Sequence, residues 1–126
     1  MIRITYCLHR LPSLTRKEFQ LYWRETHAPL VEAASEALGI RRYVQQHTLT
    51  SETARRFASA QGIPCGEGED FDGIAEIWFD SEQAIAAAGR NEEGRRHAAI
   101  LAADEARFID FARSRYFFSA ANHVIV

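Results

Sequence analysis

Hydrophobic and polar positions alternate from the start of the chain. Ile2, Ile4, Tyr6 and Leu8 fall on one side of residues 1–9, and Arg3, Thr5, Cys7 and His9 on the other, the period-two signature of a strand. The stretch Leu11-Pro12-Ser13-Leu14 ends it. Thr15 with Glu18 three residues later forms a capping box, in which each side chain takes up a free backbone N–H of the other. The period then becomes helical to about residue 38. Phe19, Trp23, Leu30, Ala34 and Leu38 make the buried stripe, His27 lies on the same line, and Gly39 is the stop. Pro29 sits inside this helix, where proline removes a backbone donor at a cost of about 3 kcal/mol. It frees the Glu25 carbonyl, so a bend is expected beside His27.

Alternation returns over residues 40–49, with Tyr43, Gln45 and His47 pointing one way and Val44, Gln46 and Thr48 the other. Residues 50–71 hold a short helical piece and then a Gly/Pro-rich stretch. A connection this long is expected to be mobile and to cover a binding pocket. Residues 72–79 read as a third strand, with Ala75, Ile77 and Phe79 facing a core and Ile74, Glu76 and Trp78 facing away. Asp80 or Ser81 opens another helix, interrupted at Gly89, restarted at Asn91 and running to about residue 110; residues 114–126 read as a last strand. Strand, helix, strand, strand, helix, strand is the split βαβ order of a ferredoxin-like α+β fold, an antiparallel four-stranded sheet with helices on one face. The other face is expected to carry Tyr43, Gln45, His47, Glu76, Trp78 and part of the last strand. So large a semi-apolar surface marks a contact, and two-fold self-association is its simplest cover, so a homodimer is expected.

Composition narrows the partners. At 126 residues the chain fits one domain. With 47% hydrophobic and 25% charged residues and a formal charge of −2, it is globular and lacks the basic excess of a nucleic-acid or anionic-membrane binder. No long apolar run marks a signal peptide or membrane span near residue 1, and Cys7 and Cys65 suggest neither a disulfide framework nor a metal pair. A cytoplasmic protein with reduced thiols is expected.

Four stretches resemble the EthD family: FQLYWRETHAPLV, with its aromatic-rich helix and His-Ala-Pro-Leu; RRYVQQHTL; FDGIAEIWFDS; and ARFIDFARSRYFF. The resemblance covers nearly the whole chain apart from residues 50–71 and implies a dimeric α+β barrel. The family takes its name from a gene group for ethyl tert-butyl ether degradation. Its wider superfamily includes polyketide cyclases, a muconolactone isomerase, monooxygenases and haem-degrading enzymes. The resemblance therefore implies the fold and leaves the reaction open.

His27 leads the candidate chemistry. An imidazole with a pKa near about 6.5 serves as acid or base near neutrality, and the matching signature favours that role over a core histidine bonded to a backbone carbonyl. His47 and Tyr43 are the other catalytic candidates. Tyr22, Trp23, Gln45, Glu76 and Trp78 are candidate binding residues, a mixture suited to an aromatic or enolic ligand. The rival for the strand residues is polarity at a dimer interface. No two histidines have i, i+4 spacing and no Cys-x-x-Cys occurs, so no metal is expected; there is also no phosphate loop, Gly-x-Gly-x-x-Gly or serine elbow, and GEGED is acidic. The resulting expectation is a dimer binding a small apolar, aromatic or cyclic molecule, with cofactor-free acid–base chemistry (cyclisation, isomerisation or dehydration). In it His27 moves a proton while Tyr43 or His47 holds an enolate oxygen. Two alternatives stay open: an oxidative role in a catabolic operon with oxygen or haem as partner, and a non-enzymatic ligand-binding dimer.

Overall fold

A computed structural model describes Met1–Val126. The elements are β1 (Ile2–Leu8), α1 (Arg16–Tyr22), a π-helical turn (Trp23–His27), α2 (Ala28–Leu38), β2 (Arg42–His47), α3 (Glu52–Ala60), β3 (Gly73–Phe79), α4 (Glu82–Ala88), α5 (Glu92–Glu105) and β4 (Arg115–Ser119). The strands form one antiparallel sheet in the order β2-β3-β1-β4, the ferredoxin-like arrangement. α5 ends at Glu105 rather than near residue 110. The chain then turns, and Ile109 bridges back to Arg10. The last strand stops at Ser119, beyond which residues 120–126 form no strand.

Local chemistry explains the helix ends. The Thr15–Glu18 capping box is present in both directions, and Ser51, Ser81 and Asn91 each accept a backbone N–H at the start of α3, α4 and α5. Gly39 takes φ 73°, which closes α2 at no Cβ cost.

Pro29 acts differently from a simple kink. It stands in the first turn of α2, where its missing N–H is harmless, and the turn before it widens so that the Ala28 N–H bonds to the Trp23 carbonyl. The wider turn also rephases the helix. Phe19, Trp23, His27, Val31 and Ala34 are buried, so the stripe passes through Val31 rather than the expected Leu30. Steps of four residues, longer than the 3.6 of an α-turn, keep Trp23 and His27 on one line.

The core is Leu8, Phe19, Trp23, Ala75, Phe108 and Ile109, between the sheet and the helices. Gly73 admits Trp23: a Cβ there would overlap the indole and lie 2.9 Å from the Gln46 carbonyl oxygen. The end of the 50–71 connection is anchored next to β3. Buried Asp72 accepts from the Arg10 backbone N–H and from the Arg10 and Arg16 guanidiniums, and Arg16 also reaches Asp70 at 2.7 Å. Burial raises the Asp72 pKa, but these donors outweigh it and hold the carboxyl below its usual range.

The faces of β2 correct an expectation. Tyr43 pairs with Ile77 and Gln45 with Ala75, so Tyr43, Gln45 and His47 face the helices. Glu76 and Trp78 lie on the opposite face, with Arg3, Thr5 and Cys7. A connecting turn does not fix which side of the next strand looks inward, and a one-residue offset exchanges the faces. The amide and imidazole are tolerated inside because β2 is an edge strand and Gln45 reaches the Trp23 carbonyl at 3.0 Å.

Candidate active site

A cavity of about 380 Å³ opens between the sheet and the helices. Trp23, Val31, Leu38, Ile40, Ile77, Phe79 and Leu101 contribute apolar wall; the polar atoms come from His27, Glu105 and the phenols of Tyr6, Tyr43 and Tyr116. No lysine or arginine lines it, and neither does any residue of 50–71, so the expected cover over the pocket is not there.

His27 is buried at the end of the π-turn, and its Nδ1 lies 2.8 Å from Oδ2 of Asp104 on α5. The other oxygen of Asp104 accepts the Tyr22 hydroxyl at 2.6 Å. With a carboxylate as partner, Nδ1 carries the proton and Nε2 keeps its lone pair. Nε2 lies 3.8 Å from Oε2 of Glu105, the next residue of α5. Burial depresses the His27 pKa; Asp104 opposes that shift without reversing it. Burial pushes Glu105 the other way, to about 7, and the neighbouring Asp104 charge adds to the rise. Below about pH 7 and above the depressed His27 range, a neutral base and a neutral acid thus stand side by side, the divergence of environments that separates acid and base roles in enzymes.

The phenols remain donors. Burial raises Tyr6 to about 12, with Glu105 and Tyr116 adding to it, and burial followed by Glu105 raises Tyr116. Burial also raises Tyr43, partly offset by the bond from Gln45.

Of the residues singled out in the sequence, His27, Tyr43 and Trp23 line the cavity. Tyr22 lies behind it and holds Asp104. His47 and Gln45 are also outside it: His47 packs on Trp23 with ring centroids 4.6 Å apart, and Gln45 bonds to Tyr43 and Trp23. Glu76 and Trp78 sit across the sheet, Glu76 paired with Arg3 at 2.8 Å and Trp78 beneath the Arg3 and Arg42 guanidiniums. The proposed grouping of His47, Glu76 and Trp78 with Tyr43 therefore does not form. Asp104 and Glu105 were not among the expected residues, because a helix running to about residue 110 leaves them in its interior with Arg107 beyond them; the structure ends α5 at Glu105. Two acids in the last turn of a helix with no base there oppose the helix dipole, which calls for a local reason.

The EthD domain description matches residues 11–112. The chain belongs to the EthD family. Among curated relatives, the dehydratase aurZ of Gibberella zeae is 27% identical over 114 residues, spanning 90% of this chain and 72% of that protein. An ethyl tert-butyl ether degradation (EthD) family protein from Bacillus halodurans superposes with a TM-score of 0.61 at 18% identity, covering 97% of this chain and 99% of that one. A protein of unknown function from Thermobifida fusca, described as dimeric and ferredoxin-like, gives 0.55 at 15% identity, with 95% and 90% covered. These structures support the fold of the EthD chain, and no helix in it is long and apolar enough to cross a membrane.

Proposed function

We propose that this EthD protein is a cofactor-free acid–base enzyme that dehydrates a small, uncharged, cyclic β-hydroxy ketone with an aromatic or otherwise apolar body. The observation that carries this reading is the buried Asp104–His27 pair opening onto Glu105 within an apolar cavity. His27 Nε2 takes the proton α to the ketone. The electron pair moves to the ketone oxygen, held by a tyrosine hydroxyl. It returns to form the carbon–carbon double bond as the β-hydroxyl departs, and protonated Glu105 supplies the hydrogen that makes the leaving group water. The cycle leaves an imidazolium beside a carboxylate, and proton return between them restores both groups. The 27% likeness to a dehydratase is compatible with this chemistry. With no lysine or arginine on the wall, the site offers no fixed cation to a carboxylate or phosphate, which favours a neutral substrate.

The test uses 3-hydroxy-1-tetralone, which loses water to give 1-naphthol, followed by absorbance. Product formation no faster than in buffer, with this and related β-hydroxy ketones, would remove the dehydratase reading.

The reading includes a homodimer joined through the helix-free face of the sheet, closing a barrel from two sheets, in a cytoplasm where both cysteines stay free. Trp78 and the half-exposed Phe117 are on that face, and relatives of this fold are described as dimeric. Sedimentation at micromolar concentration is expected to give twice the 14.3 kDa chain mass, and Trp78→Asp to shift the protein toward monomer. A folded wild-type monomer under those conditions would contradict this arrangement.

A further inference from the structure

We infer that Gln45 and His47 are positioning residues that fix Tyr43 as a one-way hydrogen-bond donor into the cavity, so that the ligand presents an acceptor oxygen there. The inference rests on the proposed function only in taking this cavity as the binding site.

The Trp23 end of the row has an unambiguous polarity. The Trp23 carbonyl can only accept, and it already takes the Ala28 N–H of the π-turn. The Gln45 side chain lies 3.0 Å from it, so the atom facing Trp23 is the amide nitrogen. The reversed amide would oppose two carbonyl oxygens. The same NH₂ group lies 3.1 Å from the Tyr43 hydroxyl, so its second hydrogen goes there and the phenol oxygen accepts it. The remaining Gln45 atom, Oε1, lies 2.9 Å from His47 Nε2, which must therefore carry a hydrogen. His47 Nδ1 is buried without a partner, as expected of the bare nitrogen of a neutral ring.

Both hydrogens and the oxygen of the Gln45 amide are thus committed. The Tyr43 oxygen is occupied as an acceptor, no protein group takes its hydrogen, and the residue lines the cavity. An acceptor ligand, such as a ketone or enolate oxygen, satisfies that hydrogen. A ligand offering only a donor meets an oxygen already engaged. Burial of the phenol keeps the hydrogen in place through the neutral range. The π-turn serves two ends: it presents His27 to the cavity, and its carbonyl fixes the polarity of the row that ends at Tyr43.

Two measurements test this. Long-range proton–nitrogen NMR of the ligand-free protein is expected to show His47 as the Nε2–H tautomer; an Nδ1–H tautomer overturns the proposal. Binding is then compared for 1-tetralone and tetralin, a pair that differs by the carbonyl. Wild type should favour tetralone roughly 5- to 10-fold, the usual scale of one neutral hydrogen bond. Gln45→Glu, whose carboxylate accepts from Tyr43 and reverses the bond, and Tyr43→Phe should both abolish the preference while tetralin binding persists. Gln45→Met, which leaves Tyr43 free to rotate, should retain part of it. Equal affinities in wild type, no tetralone binding, or a preference that survives both Gln45→Glu and Tyr43→Phe would defeat the assignment. The ratio needs no turnover, so failure of the dehydratase reading leaves it standing, and its own failure leaves the His27–Glu105 chemistry to be judged by catalysis.

Discussion

His27→Gln lowers turnover of the β-hydroxy ketone by at least about 10²-fold and leaves the folded state and the dimer in place. The amide can replace a hydrogen bond to Asp104 but cannot exchange a proton near neutrality, so stability should change by about 1 kcal/mol or less. Asp104→Asn gives a second route to the same loss. An asparagine can offer an N–H where the carboxylate accepts one, which favours the imidazole tautomer with its proton on Nε2 and removes the base from the cavity. A fall of roughly 10²- to 10⁴-fold is expected with little change in substrate affinity. Tyr22→Phe should act more weakly, since it removes one support of Asp104 and leaves the His27 bond intact. The measurement is kcat and KM alongside thermal unfolding. If His27→Gln unfolds the protein and changes no ligand response, the imidazole is a packing residue.

The sequence made the framework legible because its signals are local. The capping box at Thr15, the Gly39 stop and the two-residue alternation of β1 and β3 each depend on residues within a turn or a strand, and each is found in place. What failed depended on relations between elements. Tyr43, Gln45 and His47 alternate as expected, yet the side they face follows from pairing with Ile77 and Ala75, which no residue of β2 encodes by itself. The shift of the buried stripe from Leu30 to Val31 follows from the π-turn, and the hydrophobic pattern fits either helix phase within one residue.

The candidate site was legible in its first half only. His27 stood out through Pro29 and its place on the apolar line. Its partner lies 77 residues away on α5, and Glu105 beside that partner falls inside a helix that the sequence pattern carries on to about residue 110. A sequence shows which residues are unusual for their element. It does not show which two unusual places meet, and here the meeting of the π-turn with the last turn of α5 makes the site.

Glu105→Gln should separate activity from stability more sharply than any other change. Its carboxyl is held neutral to about pH 7 by burial first and by Asp104 second, against a usual value of 4.5. Because the folded-state value is the higher one, its contribution to stability is full below about pH 4.5 and is lost as pH rises through about 7. Above that range the folded protein holds an ionised carboxylate in an apolar wall, a penalty that glutamine does not carry. The variant is therefore expected to be more stable than wild type at about pH 8, by an amount on the order of 2 kcal/mol, and equal to it at about pH 4. Activity should move in the opposite direction, down by roughly 10²-fold or more, because the amide cannot protonate the departing hydroxyl. The wild-type rate profile should be bell-shaped. The acid limb, below the ordinary imidazole range, follows protonation of His27, and the alkaline limb near 7 follows loss of the Glu105 proton; both belong to the coupled pair rather than to either residue alone. Glu105→Gln should erase the alkaline limb from whatever activity remains. A variant that keeps full activity with an unchanged alkaline limb would show that the acid lies elsewhere, with the phenols of Tyr6, Tyr43 and Tyr116 the remaining donors on the cavity wall.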